Sequence, residues 1–182
     1  MMSIADLHIR EAEPQDLVAV VTLERNTAEA PHWNERDYAA IISADKESDA
    51  LLSRCLLIAD WAGRAVGFAV GKIVGSGPGT SAELESVVVE AAARRLGVGR
   101  ALCRAVAASS RKHGAEALEL EVRAGSQGAI ALYASLGFVV TGRRRAYYQE
   151  PVEDAVLMRL ELEKPINPHC RSCSPCDSVS QS

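Results

Sequence analysis

The chain has 182 residues and a formal net charge of −4 at pH 7, and 48% of its residues are hydrophobic and 24% charged. This length and composition are typical of one globular domain with a sizeable core, and the acidic balance argues against nucleic acid as a direct ligand. The amino terminus has no apolar run of signal-peptide length and no run approaches a membrane span, so we expect a cytoplasmic protein without membrane contact.

The first half of the chain combines strand-like and helix-like patterns. Alternation of apolar and polar residues predicts strands, and apolar residues at spacings of three and four predict helices. Pro14 suits the first position of a helix, and Asn34 suits a helix cap. In chain order, the predicted elements are a strand over 7–12, a helix opened by Pro14, a short helix over 34–42, a hairpin with strands over 55–61 and 65–74, and a strand over 82–89.

The second half favours strand–helix–strand units followed by a strand pair. Gly114 follows a basic turn and suits the end of a helix, and Ser126 suits the cap of the next helix. The predicted elements are a helix over about 97–113, a strand over 118–122 with one apolar and one acidic face, a helix from Ser126 to Gly137, and an antiparallel pair over 138–148 and 155–162.

This order of elements predicts an α/β (α+β) fold. Strand–helix–strand units favour locally parallel pairing and hairpins favour antiparallel pairing, so we expect a mixed, mostly antiparallel sheet of six or seven strands with helices on both faces. One domain is predicted over 1–164. The segment 165–182 is rich in cysteine, proline and serine and is predicted to be a disordered tail.

Three of the five cysteines lie in that tail, in the spacing Cys170-x-x-Cys173-x-x-Cys176 beside His169. Structural zinc prefers two separated pairs of ligands, and iron–sulfur motifs of this spacing continue to a fourth cysteine. Neither completion is present, so we expect unstructured thiols and no metal. The apolar surroundings of the other two predict buried residues, Cys55 and Cys103.

A strand of three valines leads into the loop Arg94-x-x-Gly97-x-Gly99 and then into an amphipathic helix. Glycines let the backbone approach a ligand, and the free amides at a helix start favour an anion. The nucleotide-binding Walker loop needs Gly-Lys-Ser/Thr, and the dinucleotide motif needs glycine where Leu102 stands, so both are excluded. A phosphate-bearing ligand and an ordinary turn with two glycines remain the alternatives.

The most specific motifs are Leu-Glu-Val-Arg over 120–123 and Ala-Ile-Ala-Leu-Tyr-Ala-Ser-Leu-Gly-Phe over 129–138. Together with the glycine loop, they resemble the Gcn5-related N-acetyltransferase (GNAT) superfamily, in the branch of bacterial ribosomal-protein alanine N-acetyltransferases (RimI type). Further similarity lies in 144–148 and 153–158, and the resemblance covers most of 7–162. It implies a GNAT fold with a splayed pair of parallel strands.

The resemblance also implies acetyl-CoA as cosubstrate. Its pantetheine arm would pair with the main chain of the valine strand, and its pyrophosphate would lie on the loop and the helix start. Ser126 stands where family members usually have asparagine, and this difference bears on the affinity for CoA and not on the type of reaction. The implied cofactor-binding residues are Val87, Val88, Val89, Arg94, Arg95, Leu96, Gly97, Val98, Gly99, Arg100 and Ser126.

For catalysis, the resemblance assigns the general base to Glu121 and the general acid to Tyr133, with direct transfer and no acyl-enzyme. An α-amino group has a pKa of about 7.7–8.0, so a carboxylate can take its proton directly or through one water. For Glu121 the alternative is a solvated charge, as for Glu119 on the same face. For Tyr133 the alternative is an aromatic residue of the core.

The acceptor would meet Trp33, Tyr147 and Tyr148, although Trp33 also suits the core. The arginines at 143–145 are interpreted as a solvated strand edge. The predicted activity is acetylation of a protein amino terminus, with a ribosomal protein as the implied partner. A small-molecule amine or antibiotic acetyltransferase and a non-catalytic acyl-CoA sensor are the alternatives. A monomer and a homodimer are both compatible with the sequence.

Overall fold

The computed structural model describes residues 6–28, 30–44, 52–75 and 79–162. The predicted tail, with Cys170, Cys173 and Cys176, lies outside these residues. The strands are β1 (Leu7–Glu11), β2 (Leu52–Trp61), β3 (Arg64–Val74), β4 (Ser81–Val89), β5 (Ala117–Arg123), β6 (Val139–Gln149) and β7 (Val152–Glu161). The helices are α1 (Leu17–Arg25), α2 (Glu35–Ser43), α3 (Val98–Lys112) and α4 (Gln127–Ala134).

The seven strands form one sheet in the order β1-β2-β3-β4-β5-β7-β6. The neighbours β4 and β5 are parallel, and every other neighbouring pair is antiparallel. The predicted mixed, mostly antiparallel sheet is therefore confirmed. In the part of the chain that the structure describes, no helix is long and apolar enough to cross a membrane.

Helices cover both faces of the sheet, as predicted, and each face has its own core. On one face, α3 buries Val98, Leu102 and Val106 against strand residues that include Leu118 and Leu120. On the other face, α1 and α2 bury Val20 and Tyr38 against strand residues that include Phe68 and Val88. Because α1 and α2 pack mainly on β2, β3 and β4, they leave the same face of β5, β7 and β6 open.

Several predicted boundaries differ from the structure. Strand β2 begins at Leu52 and β7 at Val152, three residues earlier than predicted, because their polar ends still pair with Val74 and Gln149 across the hairpins. Ser126 occupies the cap position of α4, but its side chain makes no capping hydrogen bond. The predicted cap position is therefore confirmed, although the hydroxyl does not bond to the helix amides.

Pro14 opens a 3-10 turn over Pro14–Asp16, and the α-helix begins after it. The reason is Asp16, whose carboxylate accepts a hydrogen bond from the N–H of Glu13 at 2.8 Å. The same carboxylate receives both terminal nitrogens of Arg10, at 2.6 and 2.8 Å. This partly buried, bidentate ion pair ties β1 to the start of α1, and the hydrogen bond from Arg10 lowers the pKa of Asp16.

We expect Asp16→Asn to destabilise the fold by about 2 kcal/mol at pH 7, because Arg10 loses the nearer of its two charged partners and keeps Asp60, 3.4 Å away. The pKa of Asp16 is lower in the folded than in the unfolded protein, so the stabilisation is present above about pH 4 and disappears as the pH falls. Urea unfolding at pH 7 and pH 3 measures both effects. Glu161→Gln, at a fully exposed carboxylate, is the control that leaves the midpoint unchanged.

Candidate active site

Strands β4 and β5 diverge after a short parallel contact. Their register contains two partner pairs, Ala82 with Leu118 and Glu83 with Glu119, although β4 continues to Val89 and β5 to Arg123. Beyond Glu83, the edge of β4 that faces β5 has no strand partner. The sheet therefore opens into a gap that a ligand with amide groups is able to fill.

The alternation of the ladder decides which valines face this gap. The N–H of Glu90 donates to the carbonyl of Val66 at 2.9 Å, so Glu90 and, two residues earlier, Val88 direct their main chain to β3. Val87 and Val89 direct theirs towards β5. Of the three valines predicted to pair with an extended ligand, only Val87 and Val89 therefore have main-chain groups that face the gap, and Val88 does not. The carbonyl of Val89 already accepts a hydrogen bond from Arg94 Nε at 3.2 Å.

The loop after β4 ends in a left-handed turn. Arg95 and Gly97 have φ values of 63° and 89°, and Gly97 is the residue before α3. The first intrahelical hydrogen bond runs from the N–H of Ala101 to the carbonyl of Gly97 at 3.0 Å. The amides of the first turn therefore have no helical partner and are directed out of the helix start, where they suit an anion.

The two glycines of the loop are required for different reasons. Gly97 supplies the positive φ, which costs other residues about 1–2 kcal/mol. A Cβ on Gly99 would lie 3.2 Å from Cδ2 of Leu132, so Gly99 lets α4 approach the start of α3. Arg100 strengthens this contact with a hydrogen bond from Nη2 to Oγ of Ser135 at 2.9 Å.

The resemblance to the GNAT family implies that the amides at the start of α3 bind acetyl-CoA, and we therefore expect Gly97→Ala to raise the KM for acetyl-CoA several-fold, because the strained residue moves them. Gly114→Ala is the matched control: Gly114 follows the other end of α3, has a φ of 85°, and has open space around its missing Cβ. Both variants lose about 1–2 kcal/mol of stability. Steady-state kinetics separate them, and an equal change in KM for both would contradict the prediction.

Glu121 lies on the open face of β5, close to the gap. Its Oε1 is 2.8 Å from Nη1 of Arg144 on β6, and its carboxylate is 22% exposed. Hydrogen bonding to Glu121 raises the pKa of Tyr147, whose ring lies under the guanidinium of Arg144 at 5.3 Å. Glu121 thus differs from Glu119, which is more exposed and pairs with Arg159 on β7 at 2.6 Å.

Tyr133 lies on α4, in the core of the opposite face. Its ring centroid is 5.7 Å from that of Phe138, and burial raises the pKa of its hydroxyl above the ordinary value. The hydroxyl therefore stays protonated at neutral pH and is able to donate a proton. Burial and, to a smaller extent, the charge of Glu121 raise the pKa of Tyr148.

A second set of contacts fixes Tyr148 at the end of β5. The guanidinium of Arg123 lies 4.1 Å from the centre of the Tyr148 ring and 3.3 Å from the carboxylate of Glu153. The same carboxylate accepts a hydrogen bond from the N–H of Gly125, and Arg123 also donates to the carbonyl of Glu150 at 3.2 Å. The turn between β6 and β7 is thereby attached to the loop that precedes α4.

A cavity of about 430 Å³ extends from Glu121 along the open face. The charged residues that line it are Lys72, Glu83, Glu119, Glu121 and Arg144. Further lining residues near Arg144 include Thr141, Tyr147 and Leu157. Carboxylates and cations alternate there, since Glu83 pairs with Lys72 at 3.2 Å. The cavity is therefore polar and gives a solvent-accessible approach to Glu121.

The two cysteines that the structure describes are unsuited to nucleophilic attack. Burial raises the pKa of Cys103 to about 12 and also raises the pKa of Cys55, which is half-buried rather than fully buried. Both side chains are therefore thiols at neutral pH, and the thiolate is the nucleophilic form. Among the described residues, no group of His, Cys, Asp and Glu is arranged to hold a metal ion.

The structure brings the predicted residues Glu121 and Tyr147 to one cavity and packs Tyr148 against Tyr147, whereas Tyr133 lies in the core of the opposite face. Trp33 is half-buried and contacts Tyr38, with ring centroids 5.7 Å apart, so it belongs at least in part to the core under α2. The sequence interpretation missed Arg144, which it assigned to a solvated edge. No sequence pattern separates Arg144 from Arg143 and Arg145.

The sequence model described as the acetyltransferase (GNAT) family matches residues 17–138. The chain belongs to this family. It is a GNAT N-acetyltransferase, and the divergent β4 and β5 and the amides before α3 are compatible with acetyl-CoA as the cosubstrate of the reaction.

Similar proteins and structures agree with this assignment. The GNAT acetyltransferase is 33% identical over 156 residues to the [ribosomal protein bS18]-alanine N-acetyltransferase of Escherichia coli K12, covering 85% of this chain and 97% of that protein. The crystal structure of the E. coli ribosomal-protein-S18-alanine N-acetyltransferase superposes with a TM-score of 0.70 at 29% identity, covering 89% and 97%. Arabidopsis thaliana NAA60 in complex with acetyl-CoA, at 19% identity and covering 86% and 98%, shares the fold with a TM-score of 0.74.

Proposed function

We propose that this acetyltransferase transfers the acetyl group of acetyl-CoA directly to the α-amino group of a protein amino terminus. The acceptor is of the ribosomal protein bS18 kind that the E. coli relative is named for. The observation that carries the proposal is the gap between the diverging strands β4 and β5, with the carboxylate of Glu121 on the strand that borders it.

Glu121 and Tyr133 have complementary tasks in acyl transfer. Glu121 takes a proton from the acceptor amine, directly or through one water, and the nitrogen forms a bond with the thioester carbonyl carbon. The carbon–sulfur bond breaks, and the hydroxyl of Tyr133 donates a proton to the departing sulfur. No acyl-enzyme is needed, in agreement with the raised pKa of both cysteines.

The gap and the loop supply the binding site for acetyl-CoA in this proposal. The main chain of Val87 and Val89 pairs with the amide groups of the pantetheine arm, and the amides over 95–100 bind the pyrophosphate. The guanidinium of Arg94 and the hydroxyl of Ser126, which makes no capping hydrogen bond, add polar contacts at the two ends of this site.

Acceptor recognition is assigned to the open side of the gap. Tyr147 and Tyr148 are fixed with ring centroids 5.2 Å apart, and the half-buried Trp33 lies in the loop before α2. Aromatic side chains with hydroxyl groups are able to hold a peptide through both apolar contact and hydrogen bonds. The peptide amino terminus thereby reaches Glu121 from the surface.

The test is the release of free thiol from acetyl-CoA with two sets of acceptors. One set contains peptides that begin with alanine, serine or other residues, and the other contains small amines, including aminoglycoside antibiotics. We expect turnover with alanine peptides. Turnover with small amines alone would support the small-molecule alternative, and binding of CoA without turnover of either set would support an acyl-CoA sensor.

A further inference from the structure

Arg144 forms an ion pair with Glu121, the candidate general base. Its Nη1 lies 2.8 Å from Oε1 of Glu121, while 53% of its own side chain is exposed. Tyr147 lines the same cavity as Glu121, and its ring centre lies 5.3 Å from the guanidinium carbon of Arg144. A carboxylate has about four acceptor positions, so the contact with Arg144 orients Glu121 and still leaves room for an incoming amine.

An irregularity in β6 places Tyr147 beside Arg144 in the same cavity. Arg144 pairs with Ala155 and Tyr148 pairs with Glu153, so three residues of β6 stand opposite one residue of β7, Asp154. In a regular strand, residues three apart point to opposite faces. Arg144 lies on the face of Glu121, because their β7 partners, Ala155 and Leu157, are two residues apart. The bulge frees Tyr147 from the regular alternation, and its side chain lines the same cavity as Glu121.

Asp154 holds this bulge in place. Its Oδ1 accepts a hydrogen bond from the N–H of Ala146 at 2.9 Å, and Ala146 has a φ of 48°, which is unfavourable for a residue with a side chain. The other oxygen of Asp154 is 3.7 Å from Nη1 of Arg143. The backbone around Arg144 is thus fixed by its own contacts, independently of the ion pair with Glu121.

We propose that Arg144 is a positioning residue that holds the carboxylate of Glu121 in one orientation at the gap. The inference rests on the proposed function, since it concerns the base of that reaction. A half-exposed ion pair contributes little to folding, so the contact acts on catalysis and not on stability. Arg144 binds neither the acetyl group nor the acceptor in this scheme.

The experiment compares Arg144→Gln, Arg144→Lys and Arg145→Gln with the unmodified protein in the thiol-release assay. Arg145→Gln is the matched control, because it removes the same charge from an exposed neighbour. We expect Arg144→Gln to lower kcat about ten- to a hundredfold, the size of effect that misplacement of a catalytic group produces. The KM for acetyl-CoA and the melting temperature stay unchanged, and Arg144→Lys recovers part of the rate.

A double-variant cycle with Glu121→Gln isolates the coupling. If Arg144 acts through Glu121, adding Arg144→Gln to Glu121→Gln causes no further loss of kcat. Additive losses, a wild-type rate in Arg144→Gln, or a faster rate in that variant would each overturn the inference while leaving the proposed function in place. A lack of turnover by the unmodified protein with every peptide would instead overturn the proposed function, and this inference with it.

Discussion

Glu121→Gln lowers kcat for an alanine-starting peptide about 10²- to 10⁴-fold at neutral pH, the range that a general base contributes. The amide has nearly the same shape and still accepts a hydrogen bond, but it takes no proton from the acceptor amine. Acetyl-CoA binds away from this side chain in the proposed site, so its KM changes little. Steady-state thiol release with varied acetyl-CoA and varied peptide measures kcat and the KM for each of the two substrates.

Glu119→Gln is the matched control for this variant. Glu119 lies two residues earlier on the same face of β5 and lines the same cavity, but its partner is Arg159 and not the Arg144 and Tyr147 pair. We expect it to keep most of the activity. If both variants lose activity equally, or if Glu121→Gln retains the full rate, Glu121 is not the base, although the transfer reaction itself would stand.

Tyr133→Phe is expected to lower kcat about 10²-fold, because the departing thiolate loses its proton donor. The substitution keeps the ring and its contact with Phe138, and the core around α4 is therefore preserved. The KM for acetyl-CoA changes little for the same reason. Single-turnover thiol release, with thermal unfolding beside it, separates a lost proton from a damaged fold.

Tyr38→Phe provides the control for the loss of a buried phenol. The hydroxyl of Tyr38, on α2, is buried and has no hydrogen-bond partner among the described residues, and burial raises its pKa. Its removal leaves catalysis unchanged and costs no hydrogen bond, so the fold is equally or more stable. An unchanged rate in Tyr133→Phe would exclude the hydroxyl as the acid and would leave the group that protonates the sulfur to be found.

Much of the fold was predictable because its elements carry strong local signals. The valine strand, the left-handed Gly97 and the basic end of α3 each restrict the backbone, and the structure has a strand, a turn and a helix there. The resemblance to the GNAT family then placed these elements in a mixed sheet. Strand ends were predicted less well, since polar residues near a hairpin pair through their main chain without leaving an apolar pattern.

The candidate site was only partly predictable. Glu119 and Glu121 have the same pattern on one strand, and they differ through the partners that β7 and β6 bring to them. Tyr147, which lines the cavity beside Glu121, follows a bulge at Ala146, a residue type that rarely takes a positive φ. Neither the bulge nor the role of Arg144 has a signal in the sequence, because both arise from contacts between distant strands.

The divergence of β4 and β5 also links folding to the supply of substrate. A ligand that pairs with the free edge of β4 completes hydrogen bonding that the sheet itself leaves open, and the unfolded chain offers no such edge. Binding therefore stabilises the folded state, by about 2.7 kcal/mol at a ligand concentration one hundred times its Kd. The enzyme is consequently most resistant to unfolding and proteolysis when acetyl-CoA is abundant.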